Sequence, residues 1–418
     1  MNDRQHEELE YNMVPTVQEI MNIINNKQNG KSTTDIKNEM LKRSGNAMLN
    51  MIYPMIKVIW NEEKIPSKWN KGQTTSIWKG KGDREVLENY RGITMSSAYG
   101  TIFDTLLDSR IEKIVPMTQA QGGGRKGAST CDHLFLLRAI IDLSIKRKKP
   151  TFLTFYDVSK AYDHADNNDM LAIMWDKGLR GKTWRILHNL NKELKTTIKT
   201  RYGKTREIDM KIGGRQGSQL TGKLFSKMMD LLSEEVDASS EGVRINKDLL
   251  IAILLWVDDV VSTVEGKENQ EKILKRIDEF AKRHKLKWGQ DKCRIMRVGK
   301  HTEETKDWKL GEMPIEKCST YKYLGDTLTS DGENAKNLET RMIKIKASTI
   351  SINTIAQNEV MNRIETAVLL ELHEKVDIPS LLSNAESYTH TGHTIYLWNT
   401  RHQYPSRSKT TDLPTQNP

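Results

Sequence analysis

Along the chain, stretches whose apolar residues recur every three or four positions alternate with shorter runs that are apolar throughout, a pattern of helices interleaved with strands. Thr16-Val17-Gln18-Glu19 forms a capping box ahead of Ile20, Ile23 and Ile24, predicting a short helix that stops at Asn29-Gly30. Asp35 caps a second helix through Met40 and Leu41 to Gly45, and Met48 to Trp60 predicts a third, interrupted near Pro54. Ala98 to Ile114, Asp132 through Ile140, Met170 to Lys177 and Lys182 to Leu194 predict further helices. Leu224, Phe225, Met228, Met229, Leu232 and Val236 mark the buried stripe of a long one, and Ile273, Leu274, Ile277, Phe280 and Ala281 that of another over Asn269 to Lys285. Thr196 to Ile208 alternates around Tyr202-Gly203, a hairpin signal. From Glu333 to Leu372 the basic sequence predicts a helical region, and beyond about Tyr388 periodicity fails, which predicts a disordered tail.

Two apolar runs end in charge. Thr151-Phe152-Leu153-Thr154-Phe155-Tyr156-Asp157 is a strand that closes on a carboxylate, and Leu249 to Val264 reads as strand, tight turn, strand, with Asp258-Asp259 at the turn. Carboxylates beside an apolar core are costly unless paired or metal-bound, and neighbouring ones repel unless a cation lies between them. A solvated Asp-Asp turn is the alternative for the second run taken alone. Together the two strands deliver acids to one end of a sheet, a site for two cations about 3.5–4 Å apart that clamp the oxygens of a phosphoryl transfer. Mg2+ suits such hard oxygen donors, with Mn2+ as the alternative.

Basic, glycine-rich segments flank these strands. Lys79, Lys81, Arg84 and Arg91 lie near the loop of a predicted hairpin, Thr74 to Thr94, where they suit a triphosphate or form a solvated basic turn. Gly122-Gly123-Gly124-Arg125-Lys126-Gly127 precedes a helix whose first amides favour phosphate, though its glycine spacing matches no nucleotide-binding loop. Gly213-Gly214-Arg215-Gln216-Gly217-Ser218 lets backbone approach a ligand closely. Lys292 stands at a loop–strand junction, as a proton donor to a leaving group or a solvated lysine.

Composition narrows the partners. Across 418 residues, Lys+Arg 65 against Asp+Glu 55 gives a net charge of +10, which favours a polyanion. Three dispersed cysteines, Cys131, Cys293 and Cys318, exclude a disulfide framework and a zinc cluster. No apolar run approaches a membrane span and the start lacks a signal-peptide core, so an intracellular protein, nuclear or cytoplasmic, is expected.

From Thr16 to Ser387 the order of these blocks resembles the reverse transcriptase domain of non-LTR (LINE-type) retrotransposons. Asn29-Gly30-Lys31-Ser32 with Asp35 is similar to the family's N-terminal extension, and Lys79 to Asp83 with Asn89 to Ile93 to its fingers hairpin. Phe155 to Asp163, Gly214 to Ser218 and Val257-Asp258-Asp259 resemble its first catalytic, template-positioning and second catalytic blocks; Lys292 and Tyr323-Leu324-Gly325 fall at its palm lysine and primer grip. The resemblance implies an α+β right-hand polymerase: an N-terminal extension over 1–63, fingers over 64–150, a palm with an antiparallel sheet over 151–332 carrying part of the fingers, a helical thumb over 333–387 and a tail over 388–418. It implies an RNA-directed DNA polymerase that uses two Mg2+ ions, an RNA template, a DNA primer and dNTPs, and no membrane. Asp157 and Asp258 would bind both ions with Asp259 in support, Lys79 and Arg91 would hold the triphosphate, and Tyr162 would exclude a ribose 2′-OH. Gln216 and Gly217 would contact the template–nucleotide pair. Trp256-Val257 stands where the family has a smaller aromatic followed by Ala, Gly92 where it has Pro, and Ser218-Gln219 where it has Cys-Pro. The alternative is a decayed remnant that binds nucleic acid without catalysis; a maturase would need a splicing domain after the thumb. With no stretch assigned to an endonuclease or RNase H domain, the chain is expected to be a fragment of an element.

Overall fold

The computed structural model describes residues 6, 8–29, 36–95, 97–192, 194–210, 213–214, 218–237, 239, 241–299 and 307–333. The chain divides into two units, Met1–Asn337 and Leu338–Pro418, and only the first contains described residues. The expected thumb and tail, and the extension motif over 30–35, therefore lie outside the described residues.

In order, the elements are α1 (Val17–Asn26), α2 (Asn38–Arg43), α3 (Gly45–Glu62), β1 (Lys71–Trp78), β2 (Tyr90–Met95), α4 (Ala98–Ile114), α5 (Thr130–Arg147), β3 (Thr151–Asp157), α6 (Ala161–His164), α7 (Asn167–Asp176) and α8 (Gly181–Asn191). There follow β4 (Lys195–Thr200), β5 (Gly203–Lys204), β6 (Ile208–Asp209), α9 (Gln219–Asp237), β7 (Val243–Arg244), β8 (Leu250–Ile251), β9 (Ile253–Trp256) and β10 (Asp259–Glu265). The described part closes with α10 (Lys267–Arg283), β11 (Arg294–Val298), β12 (Trp308–Leu310), β13 (Met313–Cys318), β14 (Thr320–Tyr323) and β15 (Asp326–Thr329). The α1 capping box forms as expected, with Thr16 Oγ1 accepting from Glu19 N at 3.1 Å and Glu19 Oε2 accepting from Thr16 N at 2.8 Å. The expected interruption at Pro54 does not occur: α3 runs through it. Proline removes one helical hydrogen bond, but burial of Leu49, Ile52, Ile56, Ile59 and Trp60 on one face outweighs that loss.

A six-stranded sheet, ordered β12-β13-β11-β3-β10-β9, forms the centre. Every residue of β3 is buried, because the strand is covered on both faces, and that is why it reads as a continuous apolar run. Phe152 and Tyr156 pack into one core cluster, with α9 and α10, whereas Leu153 and Phe155 pack into a second, with α5, Tyr323 and Leu328. A second sheet, β2-β1-β4-β5 with β6 on β4, joins the β1–β2 hairpin to β4 in parallel. The two hairpins were legible in the sequence; their union was not, since the partners lie more than a hundred residues apart. Among the described residues no helix is long and apolar enough to cross a membrane.

A buried ion pair ties α5 to the last hairpin: Arg138 Nη2 lies 2.6 Å from Asp326 Oδ2. Removing one partner of such a pair takes the nearest counter-charge from the other in a low-dielectric interior. Asp326→Ala is therefore expected to lower the free energy of unfolding in urea by about 3–5 kcal/mol, and the double replacement Arg138→Met/Asp326→Leu by less. A double variant as unstable as the sum of the singles would contradict this.

Candidate active site

The site is built by strand register. β3 and β10 pair antiparallel, Val260 opposite Tyr156 and Val261 opposite Phe155, so Asp259 falls directly opposite Asp157. Asp258 occupies the turn between β9 and β10. Like charges opposite each other weaken a sheet, and here the register admits no escape. A slip of one residue would exchange the side chains that pack into the two core clusters on either face, and the Tyr156 hydroxyl is hydrogen-bonded to Ser262 Oγ across the pair at 2.9 Å.

Burial and repulsion together show in the carboxyl groups. Asp259 is pushed up to about 6, by burial first and then by the charges of Asp258 and Asp157, against the pull of Lys292. Asp258 is raised too, by burial and then Asp157, with its own backbone amide, Lys292 and Arg91 opposing. Lys292 Nζ donates to Asp157 Oδ1 at 2.6 Å. Its loop is fixed along the end of β3, where Gly289 N donates to Asp157 O at 2.8 Å and Ser159 N to Lys287 O at 2.8 Å. A Cβ on Gly289 would stand 3.2 Å from Asp157 Oδ2, so glycine keeps that oxygen clear. Tyr321 lies flat on Phe155, ring centroids 4.0 Å apart, and its hydroxyl donates to Lys292 O at 2.9 Å.

Among the described residues no group of three or more His, Cys, Asp or Glu side chains is arranged to hold a metal ion. The chemistry of Asp157, Asp258 and Asp259 is nevertheless that of a hard divalent cation's donors. Their donors are all oxygen, their mutual repulsion is what a cation relieves, and one of them already draws an ammonium group.

Of the other residues singled out from sequence, Arg91 lies in β2, close enough for its charge to act on Asp258. Lys79 instead donates to Glu88 O at 2.6 Å, within its own hairpin. Tyr162 lies in α6, and Gln216 and Gly217 lie outside the described residues. In the glycine loop before α5, Gly122 and Gly123 serve close approach to the acid-bearing turn. A Cβ on Gly122 would meet Trp256 Cζ3 at 2.7 Å and His133 Nε2 at 2.8 Å, and one on Gly123 would meet Val257 N at 2.5 Å. His133 packs edge-on against Trp256, and burial pushes its imidazole down to about 4. Sequence reading missed Gln121, which adjoins this loop; a lone glutamine before glycines signals nothing local, because its partners are tertiary.

Comparison with known proteins places these features in a family. Residues 77–328, more than half of the chain, match the family model described as reverse transcriptase (RNA-dependent DNA polymerase). The retrovirus-related Pol polyprotein from type-1 retrotransposable element R2 of Popillia japonica is 28% identical over 199 residues, 47% of this chain and 28% of that polyprotein. The aligned segment thus spans little more than a quarter of that relative's length. Two solved structures are also similar. An apo telomerase from Candida tropicalis, truncated from the C-terminal domain, has a TM-score of 0.43 at 12% identity, over 63% of this chain and 54% of that one. The telomerase from Candida tropicalis with a TWJ fragment of telomeric RNA has a TM-score of 0.43 at 10% identity, over 85% of this chain and 66% of that one.

The raised carboxyl of Asp259 has a definite sign in stability. Unfolded, the group titrates near 3.8; folded, near 6, so the native state binds the proton more tightly. The stability it contributes is fully present below pH 3.8 and is lost as pH rises through about 6. Asp259→Asn removes that loss: in EDTA at pH 8 it is expected to raise the free energy of unfolding by about 1–3 kcal/mol, discounted for partial exposure. The gain shrinks toward pH 4. A variant no more stable than the wild type at pH 8 would contradict the burial and repulsion described above.

Proposed function

The chain belongs to the reverse transcriptase (RNA-dependent DNA polymerase) family, and on that premise we propose that it is the polymerase segment of a non-LTR retrotransposon, copying an RNA template by adding dNTPs to a DNA primer. The observation that carries this reading is the convergence of Asp157, Asp258 and Asp259 at one sheet end, with the charges of Lys292 and Arg91 acting on them. In the right-hand architecture of the family, the six-stranded sheet corresponds to the palm and the β1–β2–β4 sheet to the fingers.

Each residue contributes by ordinary chemistry. Asp157, Asp258 and Asp259 would hold two Mg2+ ions, which when bound supply activation of the primer 3′-OH and charge neutralisation at the α-phosphate. Arg91 engages triphosphate oxygens bidentately where a point charge would not orient them. Lys79 belongs to the same hairpin and supplies a second cation once it leaves Glu88 O. The Lys292 ammonium restrains Asp157 and offers a proton to the pyrophosphate leaving group. Tyr162, following the first acid on α6, supplies bulk beneath the sugar that disfavours a 2′-OH, and Gln216 and Gly217 support the template–nucleotide pair. The net charge of +10 suits a partner bearing many phosphates.

Primer extension on poly(rA)/oligo(dT) with Mg2+ tests the proposal. The wild type is expected to incorporate dTTP, and Asp258→Asn to lose at least about 10²–10³-fold in rate. Silence from a folded wild type, or equal incorporation by both proteins, would contradict it. With the same substrate, raising NaCl from 50 to 200 mM is expected to weaken primer–template binding by roughly 10³-fold or more, since phosphate contacts release counterions; salt-independent binding would contradict the nucleic-acid partner.

A further inference from the structure

Gln121 is fully buried, yet none of the roles above uses it. Its side-chain oxygen accepts from two backbone amides, Gly123 N at 2.9 Å and Val257 N at 3.1 Å, while its side-chain nitrogen donates to Ser226 O of α9 at 3.3 Å. Two N–H donors require the carbonyl and a backbone carbonyl requires the NH2 group, so glutamine fits in one orientation, and neither glutamate nor methionine reproduces it.

The surrounding backbone stiffens this arrangement. Gly122 N donates to Leu255 O at 2.8 Å and Leu255 N to Ala120 O at 2.9 Å, so Gln121 forms a short parallel bridge with Leu255 of β9. Upstream, Thr118 donates to the Asp230 carboxylate of α9 through both its amide and its hydroxyl, at 2.7 and 2.6 Å. Downstream, Arg125 Nε donates to Gln121 O at 3.0 Å.

What is clamped is Val257, the residue before Asp258. Its φ is +62°, a left-handed conformation that β-branched side chains rarely adopt. Such a conformation persists only where its surroundings over-determine it. The hydrogen bond from Val257 N to Gln121 supplies that constraint, and the glycines at 122 and 123 make room for it.

We infer that Gln121 is a positioning residue for polymerisation: through the Val257 amide it holds the strained turn that aims the Asp258 carboxylate, and through Ser226 it anchors that turn to α9. The inference rests on the polymerase reading and adds to it a residue that touches neither substrate nor metal.

A four-protein cycle tests it: wild type, Gln121→Met, Val257→Gly and the double variant. Two quantities are measured, single-turnover dTTP incorporation and backbone amide exchange over residues 253–259 in the metal-free protein. Gln121→Met is expected to lower the maximal rate roughly 10–100-fold, as a small misplacement of a reacting group does, with KM for dTTP and primer–template affinity unchanged. Exchange at the turn accelerates. Glycine takes φ +62° without strain, so in the Val257→Gly background the same replacement costs less than about threefold, a departure from additivity that marks direct coupling. Equal losses in both backgrounds, or an intact rate with unchanged exchange, overturn the inference. Should Gln121→Met fail to fold, the double variant recovers the fold if the inference holds, and a double variant equally unfolded overturns it. A wild type that incorporates nothing contradicts the polymerase reading and takes the positioning role with it. An active wild type with additive variants removes the role of Gln121 alone.

Discussion

The pairing of β3 with β10 forces Asp157 and Asp259 to face each other, and the rest of the site follows from that constraint. A sheet left to its own energetics would not oppose two carboxylates. It does so here because the register is set by burial rather than by the acids: Phe152 and Tyr156 face one core cluster, Leu153 and Phe155 the other. Shifting the pair to separate the charges would carry those side chains into the opposite core cluster, whose packing is shaped for other residues, at a cost of typically about 1–3 kcal/mol for each misfit. The core thus holds the carboxylates together against their repulsion, and the raised carboxyl of Asp259 reflects burial first and that repulsion second.

Around the acids, local rules are broken repeatedly and in one place. Val257 is left-handed, Gly123 admits backbone too close for any side chain, and His133 is buried, its ring nitrogens lacking a hydrogen-bond partner among the described residues. Violations of this kind concentrate where function opposes stability. Lys292 is the counterweight, its charge drawing both Asp258 and Asp259 down while its ammonium bonds Asp157 directly. Tyr321 in turn fixes the Lys292 backbone, so the β14–β15 hairpin reaches the acids through one lysine.

Local patterning made much of this legible. The α4 helix spans Ala98–Ile114 as its apolar spacing indicates, and α10 buries Ile273, Leu274, Ile277, Phe280 and Ala281 as its stripe requires. The acids stood out because charge interrupts an apolar run only where something demands it. Three features were hidden for a common reason, namely that their cause is distant in sequence. The parallel union of β1 with β4 joins separate hairpins, α3 carries Pro54 because its far face is buried, and Gln121 answers to Val257 and Ser226, more than a hundred positions away. Periodicity records which face of an element is buried; it does not record against what.

The central claim is that carboxylates from two neighbouring strands share divalent cations. Titration of Mn2+ followed by electron paramagnetic resonance, with Mg2+ as competitor, tests it without any dependence on turnover. The account predicts Mn2+ binding by the wild type that Mg2+ displaces and that Asp157→Asn abolishes or weakens by at least roughly tenfold, as loss of a charged oxygen ligand implies. Binding of equal strength in the two proteins would contradict it.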